Sequence, residues 1–286
     1  MPNTQPDVLE VTHDQRARVL VEALPYIKRF HGQKIVIKVG GRAVEERKEE
    51  TLLDIVLLRY VGMLPVLVHG GGAEITSMSN RLGLQPEFKR GLRVTDAETM
   101  EVVKMVLTGK INPDLVATLN RLGGQAMGLS GEDGPSIIAE AHDQELGFVG
   151  RVVQVNAEPI DALIERGYIP VVASIGLGYD GHAYNINADT VAAELAVAVG
   201  ASKLILMTDV EGVKGADGSV ISELGRAQAE EMIRAGVADG GMIPKLEAAV
   251  RSLDAVPYAH IVDGREPHAV LLELFTEAGI GTMVTP

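Results

Sequence analysis

One stretch near the start of the chain, KIVIKVGG at residues 34–41, limits the possible folds more than any other. It is an apolar run interrupted only by Lys38, and it ends in a glycine pair, a pattern typical of a buried central strand. In open α/β sheets, ligands bind beyond the carboxyl ends of the strands, where glycines allow a close approach of the backbone. We therefore expect Lys38 to face an anion at a strand end, with phosphate as the working hypothesis.

The next segments predict a parallel βαβ unit. A helix expected over 51–63 leads to the strand LPVLVHGGG, and its triglycine at 70–72 precedes a further predicted helix. This order implies parallel strands and a right-handed crossover. A glycine turn at a helix N-terminus offers N–H groups to an anion, although a tight strand-to-helix turn would also use glycine. Two glycine turns at neighbouring strand ends predict one ligand site.

The composition excludes several classes of function. The 286 residues are 46% hydrophobic, enough for one large core or two modest ones. A net charge of −13 and an aromatic content of 3% disfavour binding to nucleic acid or to anionic membranes. The absence of cysteine excludes disulfides, thiolate metal sites and a cysteine nucleophile. No apolar run is long enough to span a membrane and no signal-peptide pattern is present, so we expect a cytoplasmic protein.

Polar residues at predicted helix starts are the next candidates for a site. Arg93 precedes a helix cap, where it could hold a carboxylate in a bidentate manner, and a solvated basic loop is the alternative. Asn185, Asn187 and Asp189 begin an apolar helix, and a capping role accounts for only one of them. Lys245 lies in the first turn of a helix, where a cation opposes the helix dipole, which favours a role in ligand binding.

The stretch GLGYDG at 176–181 has the GxGxxG spacing of a dinucleotide-binding turn. A Rossmann turn needs a helix that begins at the third glycine, whereas residues 182–186 have the pattern of a short strand. We therefore predict a β-hairpin at this position. The chain also lacks the P-loop motif and the protein-kinase signatures.

Six segments, in this order, resemble the amino-acid kinase family: IVIKVGG, VHGGG, FKRGLRVTD, AYNINADTVA, LMTDVEGV and GGMIPKLEAA. Each segment alone is weak evidence for membership of the family, whereas all six in the same order are specific evidence. The resemblance is greatest to the branch that phosphorylates the side-chain carboxylate of N-acetyl-L-glutamate for arginine synthesis. It implies a three-layer αβα sandwich around a mainly parallel central sheet, the carbamate kinase-like fold, with an extra kinked N-terminal helix. It also implies a tail and oligomerisation helix at 1–30, an acyl-amino-acid lobe at 31–175 and a nucleotide lobe at 176–286.

The resemblance further implies roles for individual residues. Lys38 and Lys245 match the family's two phosphoryl-stabilising lysines, and Asp189 matches the carboxylate that holds them in place. The other matched positions are Gly71, Gly72, Arg93 and Asn185 for the acylated substrate, and Asp209, Gly212, Lys214 and Gly241 for the nucleotide. The implied cofactor is ATP with Mg²⁺ carried on the nucleotide, without a metal site built from protein side chains.

Two segments resemble the arginine-sensitive, hexameric branch of the family. They are the helix that ends in ALPYIKRF and the C-terminal stretch AHIVDGREPHAVLLELFTEAGIGTM. In that branch, N-terminal helices interlace dimers into a homohexamer, a trimer of dimers, and arginine binds beside them. His260, Glu273 and Gly279 match the arginine-contacting positions, although a glutamate on a surface helix more often has no such role. A PII-type nitrogen-signalling protein is a further candidate partner.

Three positions depart from the family pattern, namely Arg42, Ala73 and Glu132, and they bear on the shape of the substrate pocket rather than on phosphoryl transfer. Two other interpretations of the sequence stay open. One is a sister kinase acting on an aminoadipate derivative or on free glutamate, whose α-carboxylates Arg93 would hold equally well. The other is a non-catalytic arginine-binding regulator with a kinase fold, against which the joint presence of Lys38, Lys245, Asp189 and Arg93 argues.

Overall fold

The computed structural model describes residues 12–40, 47–236, 241–276 and 279–286, so that Gly41 and Arg42 lie outside the described residues. The helices are α1 His13–Phe30, α2 Lys48–Tyr60, α3 Gly72–Arg81, α4 Ala97–Val106, α5 Asn112–Arg121, α6 Glu158–Glu165, α7 Ala188–Ala198, α8 Arg226–Ala235, α9 Ile243–Ser252 and α10 Ala269–Phe275. A π-helical turn, Leu107–Ile111, joins α4 to α5.

The strands in the described ranges are β1 Lys34–Val39, β2 Leu64–His69, β3 Phe88–Lys89, β4 Leu92–Arg93, β5 Ala126–Ser130, β6 Ile137–Ala141, β7 Gly150–Val155, β8 Ile169–Ala173, β9 Ile175–Gly178, β10 Ala183–Asn185, β11 Lys203–Thr208, β12 Glu223–Gly225, β13 Ala259–Asp263 and β14 Thr282–Thr285. Eight of them form the central sheet, in the order β12-β14-β13-β11-β1-β2-β8-β5.

The central sheet is mainly parallel, as predicted. Strand β1 lies in its middle, and Lys38 is in parallel register with Leu206 of β11 and Val68 of β2. The pair β13 and β14 is antiparallel. The sequence predicts an edge position for the C-terminal strand, and this prediction was wrong. The short strand β12, at the end of the polar segment before α8, pairs in parallel with β14 and takes the edge position instead.

Side chains of β1 alternate between two hydrophobic cores, one on each face of the sheet. Ile35 and Ile37 pack with residues of α2, α5 and α10, whereas Val36 packs with residues of α7 and α9. This arrangement confirms the three-layer αβα fold, and burial on both faces explains the nearly continuous apolar run of the strand. Lys38 follows the same alternation, so its side chain leaves the sheet on the face that α7 covers.

A second sheet of four strands, in the order β10-β9-β6-β7, stands beside the first. Strands β9 and β10 pair antiparallel around the GLGYDG loop, which confirms the predicted hairpin. Strand β9 also pairs in parallel with β6. The division of the chain into lobes at 175/176 remains a prediction.

The additional N-terminal helix is α1, which begins with a reciprocal cap. Thr12 Oγ1 accepts from the backbone N–H of Gln15, and Gln15 Oε1 accepts from the backbone N–H of Thr12. The helix passes through Pro25, the residue expected to kink it, and continues to Phe30. Leu20 is 72% exposed, together with other apolar residues of the helix. Within the described ranges, no helix has both the length and the apolar character needed to cross a bilayer.

Candidate active site

Three buried charges meet between the sheet and the helices α7 and α9. The Nζ of Lys38, at the end of β1, lies 3.0 Å from Asp189 Oδ1. The Nζ of Lys245, in the first turn of α9, donates a hydrogen bond of 2.9 Å to Asp189 Oδ2. At most 14% of any of the three side chains is exposed. One carboxylate therefore joins two ammonium groups, and the cluster keeps a net positive charge.

The start of α7 explains why Asp189 is available to the lysines. Asn187 Oδ1 accepts from the backbone N–H groups of Asp189 and Thr190, at 2.8 and 3.2 Å, and so caps the helix. The carboxylate of Asp189 is not needed as a cap and turns to the lysines. It also lies in the first turn, where the helix dipole favours a negative charge.

Electrostatics keep Asp189 ionised. Burial alone would raise its pKa, but the charges of Lys38 and Lys245 and their hydrogen bonds outweigh burial and hold this pKa below its usual value. An ionised carboxylate with one ammonium group within 3.0 Å of each of its oxygens holds cations in place rather than accepting a proton.

A cavity of about 460 Å³ opens beside this cluster, a size that suits a small organic ligand. It lies where the ends of β1 and β2, the triglycine turn and the start of α7 converge. The predicted residues that line it are Lys38, Gly71, Gly72, Arg93, Asn185 and Asp189. The structure therefore brings the residues matched to the acylated substrate next to two of the three charged residues.

The guanidinium of Arg93 is fixed on one side and available on the other. Its Nη2 donates to the carbonyl of Gly72 at 2.8 Å and to Thr76 Oγ1 at 2.7 Å. The ring of Phe88 lies 4.7 Å from its Cζ atom. Its Nη1 is buried and has no partner among the described residues. Burial lowers the pKa of Arg93, yet a guanidinium stays charged at neutral pH, so Arg93 brings a positive charge with one unpartnered nitrogen to the wall of the cavity.

Asn185 and Arg93 are connected through Thr95. Asn185 Nδ2 donates to Thr95 Oγ1 at 3.2 Å, and this hydroxyl donates to the carbonyl of Arg93 at 2.9 Å. Thr95 is fully buried. The sequence suggests only a helix-capping role for the Thr95 and Asp96 pair, and it is Asp96 that caps the helix by accepting a hydrogen bond from the N–H of Thr99. Its connecting role follows from the approach of Asn185, in β10, to the segment after β4, which the sequence pattern does not reveal.

The sequence pattern that defines the amino acid kinase family matches residues 33–263. The chain belongs to the amino-acid kinase family. It is 52% identical over 285 residues to the acetylglutamate kinase of Synechococcus elongatus, and the match covers 97% of this chain and 95% of that relative.

Solved structures place this kinase among proteins of the same fold. The N-acetylglutamate synthase of Neisseria gonorrhoeae, in complex with coenzyme A and N-acetyl-glutamate, superposes with a TM-score of 0.84 at 25% identity. The match covers 94% of this chain and 63% of the synthase, so the kinase spans less than two thirds of that protein. Carbamate kinase from Giardia lamblia superposes with a TM-score of 0.67 at 16% identity, and the match covers 89% of this chain and 98% of the carbamate kinase. This similarity shows that the two proteins share a fold.

The four residues matched to the nucleotide do not line the cavity of this kinase. Asp209 and Gly212 follow β11, and the Nζ of Lys214 lies 3.6 Å from Glu211 Oε2 on the exposed side of the same loop. Gly241 is exposed before α9, and the preceding residues, Gly240 included, lie outside the described ranges. Their role in nucleotide binding remains a prediction.

A second cavity, of about 590 Å³, lies between the end of α1, strand β13 and helix α10. His260, Glu273 and Gly279, the residues matched to an arginine site, all line it. His260 Nδ1 lies 2.6 Å from Glu273 Oε1, and Lys203 Nζ lies 3.5 Å from the same oxygen. Burial alone would raise the pKa of Glu273, but its hydrogen bonds from His260 and the N–H of Ile280, and the charge of Lys203, hold it below its usual value.

Three polar residues near these cavities are absent from the sequence prediction. Lys203 begins an apolar strand, and nothing local distinguishes it from an ordinary strand terminus. His69 and Asn112 form a buried pair beside the first cavity, with 3.0 Å between Nε2 and Nδ2. A histidine that ends an apolar strand is a signal that could have identified His69.

Two of the residues that depart from the family pattern lie in described parts of the kinase. Ala73 lines the first cavity, whereas Glu132 does not line it and pairs with Lys104 at 2.8 Å. Among the described residues, no group of three or more histidine or carboxylate side chains is arranged to hold a metal ion.

Proposed function

We propose that this kinase transfers the γ-phosphoryl group of ATP to the side-chain carboxylate of N-acetyl-L-glutamate and so forms an acyl phosphate for arginine biosynthesis. The observation that carries the proposal is the Lys38, Asp189 and Lys245 cluster, which borders a cavity that Arg93 also lines, and the Nη1 of Arg93 has no partner among the described residues. The full-length similarity to an acetylglutamate kinase supports the choice of substrate.

The cavity suits a substrate with two carboxylates. Arg93 would hold the α-carboxylate through Nη1, and the side-chain carboxylate would then face Lys38. The attacking oxygen is already ionised at neutral pH, so the reaction requires no general base. Catalysis then consists of alignment of the two reactants and neutralisation of charge, as in other phosphoryl transfers.

The two lysines would supply the neutralising charge. Negative charge on the transferring group is stabilised by fixed cations, and one such donor typically contributes about 10²–10³ in rate. Asp189 holds both ammonium groups before the substrates bind, so little rearrangement is needed during the reaction. Gly40 keeps space around Lys38, because a Cβ atom there would lie 3.0 Å from its Nζ.

Mg²⁺ on the ATP phosphates would add to this neutralisation. Mg²⁺ keeps several water ligands and is held mainly by phosphate oxygens in such enzymes. We assign the nucleotide contacts to Asp209, Gly212, Lys214 and Gly241 on the basis of the family pattern.

The decisive experiment measures ADP release with N-acetyl-L-glutamate, L-glutamate and N-acetyl-L-2-aminoadipate, together with trapping of the acyl phosphate by hydroxylamine. We expect kcat/KM to be highest for N-acetyl-L-glutamate. Highest kcat/KM for either other substrate would identify a sister kinase. Absence of turnover with all three, in a protein that still binds arginine, would identify a non-catalytic regulator.

Feedback inhibition by arginine, at the second cavity, is part of the proposal. The paired Glu273 carboxylate there offers a guanidinium a counter-charge.

The exposed apolar residues of α1 support a homohexamer in which these helices meet, and sedimentation velocity would measure the number of subunits. We also propose a cytoplasmic location and a PII-type partner from the family resemblance, and pull-down with a purified PII-type protein tests the latter.

A further inference from the structure

His69 ends strand β2 immediately before the triglycine turn, and its side chain is buried, with 1% of the residue exposed. Its Nδ1 lies 3.0 Å from the carbonyl oxygen of Gly70. Its Nε2 lies 3.0 Å from Asn112 Nδ2, which also donates to the carbonyl of Val171 at 2.9 Å. Both ring nitrogens are therefore engaged, one with the turn and the other with the start of α5.

This geometry permits a single protonation state. A carbonyl only accepts, so Nδ1 must carry the proton that bonds Gly70. Asn112 Nδ2 donates to Val171, and its second proton bonds Nε2, which must be unprotonated. An imidazolium would place two donors against each other, and a flipped Asn112 amide would place its oxygen against the carbonyl of Val171. Burial agrees with this state, because it lowers the pKa of His69 to about 4.

The hydrogen bond from His69 orients the first peptide of the triglycine turn. In a trans peptide the C=O and N–H groups point in opposite directions, so a Gly70 carbonyl held by the ring directs the N–H of Gly71 away from it. The carbonyl of Gly72 is held separately by Arg93 and Thr76. No side chain within the described residues caps the N-terminus of α3 at Gly71, so its first N–H groups are available to a ligand.

The π-helical turn Leu107–Ile111 places Asn112 next to the ring. It packs directly on Gly71, where an added Cβ would lie 2.3 Å from Ile111 Cδ1. Opposite the amide of Asn112, a Cβ on Gly128 would lie 1.8 Å from Oδ1, so only glycine leaves room for this side chain. π-Helical turns occur often at functional sites, and here the turn aims a buried amide at the histidine.

We propose that His69 and Asn112 are positioning residues that lock the triglycine turn with the N–H of Gly71 directed into the cavity, where it binds the acylated substrate or the transferring phosphoryl group. The inference rests on the proposed function, because the turn serves the same site. Neither side chain touches the reacting atoms. Their contribution is to hold a backbone donor in place before the substrates bind.

Two amide variants of His69 test its two hydrogen bonds separately, the one from Nδ1 to Gly70 and the one between Nε2 and Asn112. In His69→Asn, the amide nitrogen takes the place of Nδ1 and can still donate to Gly70. In His69→Gln, the amide reaches the place of Nε2, and the donor to Gly70 is lost. We expect His69→Gln to raise KM for N-acetyl-L-glutamate or lower kcat by about ten- to hundredfold, and His69→Asn to stay within about threefold of wild type. His142→Gln, an exposed histidine outside the cavity, is the matched control.

A second readout does not depend on activity. Nitrogen NMR of [¹⁵N]histidine-labelled protein, assigned by the loss of one signal in His69→Asn, reports the tautomer of His69. We expect the neutral Nδ1–H form from pH 5.5 to pH 8. In Asn112→Asp, a carboxylate faces Nε2, so we expect the ring to become protonated in that range.

The outcomes distinguish this inference from the proposed function. An inactive wild-type protein overturns the proposed function, and the NMR result then decides the hydrogen-bonding state alone. With an active wild type, unchanged kinetics in folded His69→Gln overturn the positioning role, as does an equal loss in folded His69→Asn and His69→Gln. A His69 signal that titrates above pH 6, or an Nε2–H tautomer, overturns it as well. Thermal unfolding of each variant confirms that it is folded at the assay temperature.

Discussion

Asp189 and Lys245, which are 56 residues apart in the chain, form a hydrogen bond of 2.9 Å between the first turns of two adjacent helices. The other oxygen of the same carboxylate faces Lys38, which comes from the central strand. The cluster therefore connects the middle of the sheet to two helices on one of its faces. Its three charges depend on each other, and the predictions below begin with them.

Asp189→Asn should cost both activity and stability. The change leaves two buried ammonium groups side by side without a counter-charge, and loss of one member of a buried ionic cluster typically costs about 3–5 kcal/mol. We expect kcat to fall about a hundredfold or more, and urea unfolding to show the loss of stability. Glu194→Gln, on the same helix, is the control, because its partner Arg251 is 60% exposed and such pairs contribute little. Equal effects of the two variants would contradict a special role for Asp189.

Lys38→Ala and Lys245→Ala should each lower kcat about 10²- to 10³-fold in a protein that remains folded. The reason is that each removes one fixed cation from the transferring group. Lys34→Ala is a matched control for the first variant, because Lys34 begins the strand that Lys38 ends and pairs with Asp161 at 2.8 Å. The measurement is steady-state ADP release, and turnover at the wild-type rate in both cluster variants would disprove the mechanism.

Arg93→Lys should raise KM for N-acetyl-L-glutamate about ten- to hundredfold with a smaller effect on kcat. One ammonium cannot reproduce the planar fork that bonds Gly72 and Thr76 and still leaves Nη1 for the substrate. Arg90→Lys is the control, because Arg90 forms a 3.5 Å pair with Asp143 and its side chain is 77% exposed. A similar KM in both variants would show that Arg93 does not bind the substrate.

The pH dependence of stability should report on Asp54. Burial raises its pKa to about 6 from 3.8, against the opposing hydrogen bond to His268. The folded state therefore favours protonated Asp54, and this contribution to the free energy of unfolding is complete below pH 3.8 and is lost as the pH rises through about 6. Relative to Asp54→Asn, wild type should therefore lose up to about 3 kcal/mol of unfolding free energy between pH 4 and pH 7. Urea unfolding at several pH values measures this, with Asp14→Asn as a surface control. A constant difference would show that Asp54 has an ordinary pKa.

Arginine should inhibit the kinase, and citrulline at the same concentration should not. Citrulline has nearly the same shape but no charge, so it lacks the interaction with the buried carboxylate of Glu273 in the second cavity. Glu273→Gln should raise the half-inhibitory arginine concentration at least about tenfold, a typical value for a lost charged hydrogen bond. Each rate is compared with that of the same variant without arginine. Equal inhibition by arginine and citrulline would place the effect elsewhere.

Local sequence patterns mark each member of the charged cluster as unusual, whereas the family resemblance, and no local pattern, implied that the three residues meet. Lys38 interrupts an apolar strand, Lys245 opposes a helix dipole, and Asp189 is surplus to the cap that Asn187 provides. The parallel βαβ unit follows from local patterns and the three-layer αβα fold from the family resemblance, and both are confirmed. Residues whose roles arise from contacts between distant segments could not be found in this way. Thr95 and Lys203 obey their local patterns, and only the folded chain shows what they touch.

The π-helical turn gives the wall of the first cavity an unexpected tolerance to chain length. A π-helical turn closes its hydrogen bonds between residues i and i+5, so it holds one residue more than an α-helical turn and keeps the flanking helices on nearly the faces they would have in an uninterrupted α-helix. Deletion of one residue from Leu107–Ile111 should therefore restore a regular helix in which Asn112 still faces the ring of His69. Such a single-codon deletion should remove only the bulge that packs on Gly71.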